Sequence, residues 1–427
     1  MKVLFVYPRF SRHAQHHPEL LDVVPMNEYL GSPSLGIACL AAVTPDDWEI
    51  EYRDDRLAPA DYPTDADVVA LSFFTPAASR ALELADTFRA MGRTVVAGGI
   101  FPTLAPDVVA PHVDAVIEGE GEAVWPRVLA DAIAGTLAPR YSGQVDLEHL
   151  PIPRLSLYFG AECDSFRPDD YPVQPTRGCP LTCDACALPT SMGHRSRALP
   201  EAQVLAQLAQ LSSTGRRACL TEDTGWFPGA AQRRTRSLLE RVAEVGGAPI
   251  SYIGISMPMI LACPDSLLEL ARRAGVSMFY LVGGFDPITT RAFTGTDPTA
   301  LERAERAIRR CFEHGIEPYT SFLLGNEGDD EGTVDRMLDF ARRVGIRKAE
   351  FAILTPYPGT PSWRRLESQG RILHRDWSRY NDANAVFRPA QLTPDQLTAG
   401  YLRLWREFYA DNAHVGGMTA AERTIQF

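Results

Sequence analysis

Brief apolar runs bounded by turn residues recur along the first 140 residues, at 3–6, 49–53, 68–73, 94–97 and 114–117, and each reads as a strand. Helical spacing of apolar positions over 35–42 and 77–91 places helices between them. Strands that alternate with helices need crossover connections, so the pattern predicts a Rossmann-like, doubly wound parallel sheet over residues 1–140. From 136 to 172 the periodicity weakens. The Pro151-Ile152-Pro153-Arg154 stretch reads as a connector inside a linker spanning 141–171.

A second alternating series follows. Strands are predicted at 172–176, 218–221, 250–255, 278–282, 316–323 and 349–354, with helices near 201–211, 233–245, 265–274, 300–312 and 331–344. Six strands with intervening helices fit a partial (β/α)6 barrel over 172–359 better than a second flat sheet. A helical C-terminal region completes the chain over 360–427, with a helix opening at Thr393-Pro394-Asp395, where a capping threonine precedes proline in the first turn.

In a parallel sheet, ligands bind beyond the carboxyl ends of the strands. Three neighbouring strand ends carry small residues: Ser72-Phe73-Phe74-Thr75-Pro76, Gly98-Gly99-Ile100-Phe101-Pro102-Thr103 and Glu118-Gly119-Glu120-Gly121-Glu122. Any one of them alone is a tight turn, but the three together let backbone approach a large flat ligand.

At 427 residues the chain is long enough for two or three domains, and its 45% hydrophobic content is that of a globular protein. A formal net charge of −12 gives no basic footprint for a nucleic acid. Lys2 and Lys348 are the only lysines, a coding bias that carries no functional weight. No apolar run reaches the ~20 residues of a membrane span, and Met1-Lys2 leads straight into a strand, so the expected location is cytoplasmic. His13, His16 and His17 fall in a polar loop, where solvent exposure is expected.

Eight cysteines are too few for a disulfide scaffold in a chain this long, yet Cys179, Cys183 and Cys186 lie within eight residues. Cys39, Cys163, Cys219, Cys263 and Cys311 are scattered and read as buried thiols. A cubane cluster has four irons, so three thiolate ligands leave one iron open. An open iron can be chelated by the amino and carboxyl groups of S-adenosylmethionine (SAM). An electron from the cluster then breaks a carbon–sulfur bond to give a 5′-deoxyadenosyl radical, able to abstract hydrogen from unactivated carbon. The competing reading is a structural zinc held by the three cysteines and His194, although zinc sites usually pair C-x2-C units in domains that lack a core.

The cysteine motif resembles that of radical SAM enzymes, and the whole chain is similar to radical SAM proteins with an N-terminal cobalamin-binding domain. The resemblance rests on Pro33-Ser34-Leu35-Gly36, the two glycine-rich strand ends at 98–103 and 118–122, and residues 174–197. Phe322-Leu323-Leu324-Gly325, Leu354-Thr355-Pro356-Tyr357-Pro358-Gly359-Thr360-Pro361 and the 376–389 tail are similar to hopanoid and antibiotic-pathway C-methylases.

The resemblance implies a 4Fe-4S cluster on Cys179, Cys183 and Cys186, together with SAM and cobalamin. It places cobalamin over Phe73, Phe74, Thr75, Gly98, Gly99, Phe101, Gly119, Glu120 and Gly121. No Asp-x-His-x-x-Gly motif follows Asp54-Asp55, so no protein histidine is expected on cobalt. SAM contacts transfer by barrel position to Glu222, Asp223, Ser256, Asp286 and Gly325, each of which reads equally as a cap or turn residue. Tyr357 is expected to wall the reaction cavity.

Two departures stand out. Ala185 occupies a position that is usually aromatic, and Asp286 stands where relatives often have glutamate.

The implied activity is methylation of an unactivated carbon of a small molecule in natural-product biosynthesis, by a monomer supplied with electrons by a flavodoxin or ferredoxin. Rearrangement, cyclisation or oxidation without methyl transfer, polar methyl transfer, and a zinc-stapled or cobalamin-carrying binding protein are the competing functions.

Overall fold

The computed structural model describes residues 1–11, 16–20, 23, 33–160, 162, 170–221, 224–245, 250–281, 291–294 and 297–410. Its first sheet is parallel and six-stranded: β1 (Lys2–Tyr7), β2 (Glu49–Asp54), β3 (Val68–Ser72), β4 (Thr94–Gly98), β5 (Ala115–Gly119) and β6 (Arg140–Gly143), in the order β2-β1-β3-β4-β5-β6. Helices α1 (Leu35–Val43), α2 (Ala78–Ala90), α3 (Ile100–Leu104) and α4 (Trp125–Ala134) lie among these strands. β1 is buried along Val3–Val6 because it is central and covered on both faces, which is why it reads as one continuous apolar run. The chain leaves β1 for β2 on one side and β3 on the other, so the sheet has a topological switch point between β1 and β3. β6 was not predicted. Its sequence, Arg-Tyr-Ser-Gly, buries only Tyr141, and it is the edge strand.

The second sheet runs β7 (Asp170–Val173), β10 (Arg217–Leu220), β11 (Ile250–Ile255), β12 (Met278–Leu281), β13 (Glu317–Leu324) and β14 (Lys348–Ile353), paired in chain order and parallel throughout. Among the described residues β7 and β14 do not pair, so the barrel is open. A two-stranded antiparallel ladder, β8 (Thr176–Arg177) with β9 (Arg197–Ala198), branches off directly after β7. Helices α5 (Leu188–Met192), α6 (Glu201–Ser213), α7 (Ala230–Val245), α8 (Asp265–Arg273), α9 (Pro298–Glu313) and α10 (Thr333–Val344) connect the strands. Local signals set their ends. Asp297 caps α9 by accepting from the Thr299 and Ala300 amides, with Pro298 in the first turn, and α10 stops at Gly345 in the left-handed region.

α11 (Pro361–Ser368) and α12 (Pro394–Ala410) belong to a C-terminal segment that ties the units together. α12 covers β14: the Trp405 indole donates to the Phe351 carbonyl and the Tyr409 hydroxyl to the Ala349 carbonyl. The same segment reaches back to the N-terminal residues. Asn381 donates to the Ser11 carbonyl, and His17 is buried with its Nε2 2.7 Å from the Ala383 carbonyl. The expectation of a solvated histidine loop therefore fails for His17, whose partner lies 366 positions away, while His13 lies outside the described residues. Among the described residues no helix is long and apolar enough to cross a membrane.

Candidate functional site

The ends of β1, β3, β4 and β5, together with the start of α1, form one wall of a cavity of about 480 Å³. This is the switch-point edge of the first sheet, where a doubly wound fold receives its ligand. Five glycines line it: Gly36, Gly98, Gly99, Gly119 and Gly121. Two of them are dictated by the path of the chain. Gly99 has φ +105°, and a Cβ there would stand 2.7 Å from the Phe73 carbonyl oxygen; Gly119 has φ +81°, with 2.8 Å to the Gly143 carbonyl. The opposite wall comes from the barrel: Gln174 after β7, Leu188, Ser191 and Met192 on α5, and Thr221 after β10. One space is therefore shared by both halves of the chain.

The residues expected around this ligand divide into two groups. Phe73 and Phe74 line the cavity, Phe74 with its ring 4.6 Å from that of Phe10. Thr75 and Phe101 do not. Thr75 opens a buried 3-10 turn behind the wall, and Phe101 is fully buried between Phe73 (6.0 Å) and Trp377 (5.2 Å). Both side chains are buried away from the cavity surface.

The cysteines sit on the loop closed by the β8–β9 ladder. Gly178 makes the turn into it at φ +82°, and a Cβ there would fall on the Arg195 carbonyl. The Cys179 amide donates to the Gly193 carbonyl, so the first cysteine is fixed by the far end of its own loop. Cys179 is buried, whereas Cys183 and Cys186 are partly exposed. Asp184, between the last two, is held by the C-terminal segment: its carbonyl accepts from the Ser362 amide, and its carboxylate meets Arg365 at 2.5 Å. Among the described residues no three His, Cys, Asp or Glu side chains gather around one point as a single ion needs. A cubane makes a different demand, since each of its thiolates takes a different iron corner. Three thiolates on one loop, one buried and two partly exposed, suit a group that takes one iron corner from each, and His194 is exposed.

Four residues that sequence reading did not connect meet between the cavity and this loop. Arg197 grips both oxygens of Glu120 at 2.7 and 2.9 Å; Arg177 reaches Glu120 at 3.3 Å and Glu122 at 2.8 Å. Burial, the largest single influence, raises the Glu120 carboxyl, but the hydrogen bonds from Arg197 and the Val145 amide and the charges of Arg177 and Arg197 together outweigh it and hold the group below the usual carboxylate range. Glu120, expected to touch a cofactor, lines the cavity with its carboxylate already committed to arginine. Cys39 is also on the cavity wall, its sulfur 3.7 Å from the Arg177 guanidinium, and burial pushes its thiol up.

At the barrel mouth, Ser256 follows β11 and leads into the helix Met257–Ala262, without its side chain capping that helix. Gly325 follows β13 at φ +106°; its amide donates to Asp329 Oδ2 at 2.7 Å, and a Cβ there would lie 3.3 Å from the Phe387 ring. Tyr357 donates its hydroxyl to Asp382 Oδ1 at 2.8 Å, which joins the loop after β14 to the C-terminal segment. Glu222, Asp223 and Asp286 lie outside the described residues.

Residues 29–129 match the B12 binding domain family, and residues 173–341 match the radical SAM superfamily. The chain is 26% identical to bacteriochlorophyllide d C-12(1)-methyltransferase of Chlorobaculum tepidum, over 90% of this chain and 84% of the relative. It is 25% identical to hopanoid C-2 methylase of Rhodopseudomonas palustris, over 96% and 76%. An anaerobic magnesium-protoporphyrin IX monomethyl ester cyclase of Rubrivivax gelatinosus is 24% identical, over 81% and 66%. Among solved structures, the radical SAM methyltransferase TsrM of Kitasatospora setae superposes with a TM-score of 0.62 at 16% identity, over 95% of this chain and 83% of that one, a likeness of fold.

Proposed function

The chain belongs to the radical SAM proteins that carry a B12-binding domain, and from that premise we propose that it is a cobalamin-dependent methyltransferase acting on an unactivated carbon of a small molecule. The observation that carries this reading is the shared cavity. Its one wall is the switch-point edge of the first sheet, and its other wall is α5, which begins two residues after Cys186. A methyl carrier on the sheet edge and a SAM-binding cluster on the cysteine loop would therefore adjoin the same space.

The residues fit the three cofactors. Cys179, Cys183 and Cys186 would hold the 4Fe-4S cluster, with one iron left for SAM. Glycine-lined strand ends give a large flat ring system access to backbone, and Phe73 and Phe74 would face it. Ser256 and Gly325, at the ends of β11 and β13, would meet SAM. When bound, these groups supply a 5′-deoxyadenosyl radical and a transferable methyl group.

The chain's own part is to orient and to exclude water. The bond from Tyr357 to Asp382 fixes that ring at the mouth of the barrel. Trp363, Trp377 and Tyr380 pack with centroids 5.0 to 6.0 Å apart, and Phe101 joins them from the first domain, sealing the junction with apolar surface. The electron comes from outside the chain, from a flavodoxin or ferredoxin.

The test is turnover after anaerobic reconstitution, with SAM carrying a deuterated methyl group. S-adenosylhomocysteine and 5′-deoxyadenosine are expected together, with the label in the product. Formation of 5′-deoxyadenosine without label transfer would overturn methylation. It would favour the second reading, a radical cyclisation or oxidation, which the cyclase relative supports.

A further inference from the structure

Arg177 and Arg197 face each other across the β8–β9 ladder, a pair of like charges that by itself forces two strands apart. The carboxylates that hold them come from the turn after β5. Arg177, Glu120 and Glu122 have side chains 5 to 7% exposed, and Arg197 is 19% exposed. Two cations against two anions leave the group neutral, which is the condition for burying it. Its position matters more than its energy. Glu120, Glu122 and Arg177 all line the cavity, and Arg177 is joined through Gly178 to Cys179. Backbone contacts stiffen both ends: Glu120 also accepts from the Val145 amide, and Arg197 donates to the Val145 and Met192 carbonyls. The base of the cysteine loop is thus pinned, by planar two-pronged contacts, to the rim that faces the first sheet.

We propose that Arg177 and Arg197, clamped by Glu120 and Glu122, are positioning residues that set the distance and orientation of the iron–sulfur loop relative to the cobalamin wall. This rests on the reading above that both cofactors bind. Lysine at 197 keeps the charge but loses the fork that grips both Glu120 oxygens, and glutamine at 122 removes one anion from Arg177 without changing shape.

The experiment uses the full chain with Arg197→Lys and Glu122→Gln. In reconstituted protein, pulsed electron paramagnetic resonance reads the separation of the reduced cluster from cob(II)alamin. Wild type should give one narrow distance, and each variant a broadened or shifted one, with more 5′-deoxyadenosine formed per methyl transferred. In the cofactor-free chain, nitroxide side chains built in as unnatural residues at the exposed Thr182 and Thr136 should show the same broadening. Unchanged distances in both variants, with only a lower melting temperature, would overturn the proposal and leave the four residues as structural. Wild-type protein that binds neither cofactor would sink the functional reading instead, and the nitroxide pair still decides whether the clamp positions the loop.

Discussion

Asp329 sits on the turn that closes β13, 2% exposed, with Oδ2 accepting from the Gly325 and Asn326 amides at 2.7 and 2.8 Å. Its Oδ1 is buried and meets no partner among the described residues. Burial pushes the carboxyl up from 3.8 to about 6, against the pull of the two amides. A rise of about 2 units corresponds to about 3 kcal/mol. Because the folded state holds the proton more tightly than the unfolded chain, Asp329 carries no penalty below pH 3.8, where both states are protonated. The penalty then grows as pH climbs toward 6 and is complete above it. Asp329→Asn removes the titration while its carbonyl oxygen still accepts from the two amides. The variant is therefore expected to gain on wild type by up to about 3 kcal/mol between pH 4 and pH 7. Urea unfolding of both proteins without cofactors, followed by tryptophan fluorescence at steps of pH, reads that difference directly. A difference that stays flat from pH 4 to 7 refutes the argument.

Gly99→Ala places a methyl group 2.7 Å from the Phe73 carbonyl at a positive φ; it should cost about 1–3 kcal/mol and weaken cobalamin retention in equilibrium dialysis. Phe101→Ala empties the space between Phe73 and Trp377 and should lower stability by about 3–5 kcal/mol in chemical denaturation, with cluster content unchanged. Cys183→Ser should abolish retention of iron and labile sulfide after anaerobic reconstitution, whereas Cys311→Ser, at a thiol buried in the barrel's outer layer, should retain both.

The order of elements was legible because parallel strands covered on both faces appear as short apolar runs, and all five strands predicted before residue 140 and all six predicted after it are present. What escaped was too short or too polar to carry a period. β8 and β9 have two residues each, and β6 has a single buried position. At the site, glycines at strand ends could be read locally, since their spacing is itself the signal. Glu120 could not: its partners Arg177 and Arg197 lie 57 and 77 positions away, and no local pattern links a glycine-flanked glutamate to an arginine beside a cysteine. The packing of Phe101 was hidden for the same reason, because Trp377, the ring beside it, arrives from the other end of the chain.

The ties from Ser11 to Asn381 and from His17 to Ala383 put a clock on biosynthesis. Ribosomes deliver a chain in one direction, and early domains fold as they emerge. The first sheet thus takes shape while the residues that will latch its opening segment have yet to be translated. Closure waits until Asn381 and Ala383 have been made, so a ribosome that stalls before Asn381 leaves the ties of Ser11 and His17 unformed.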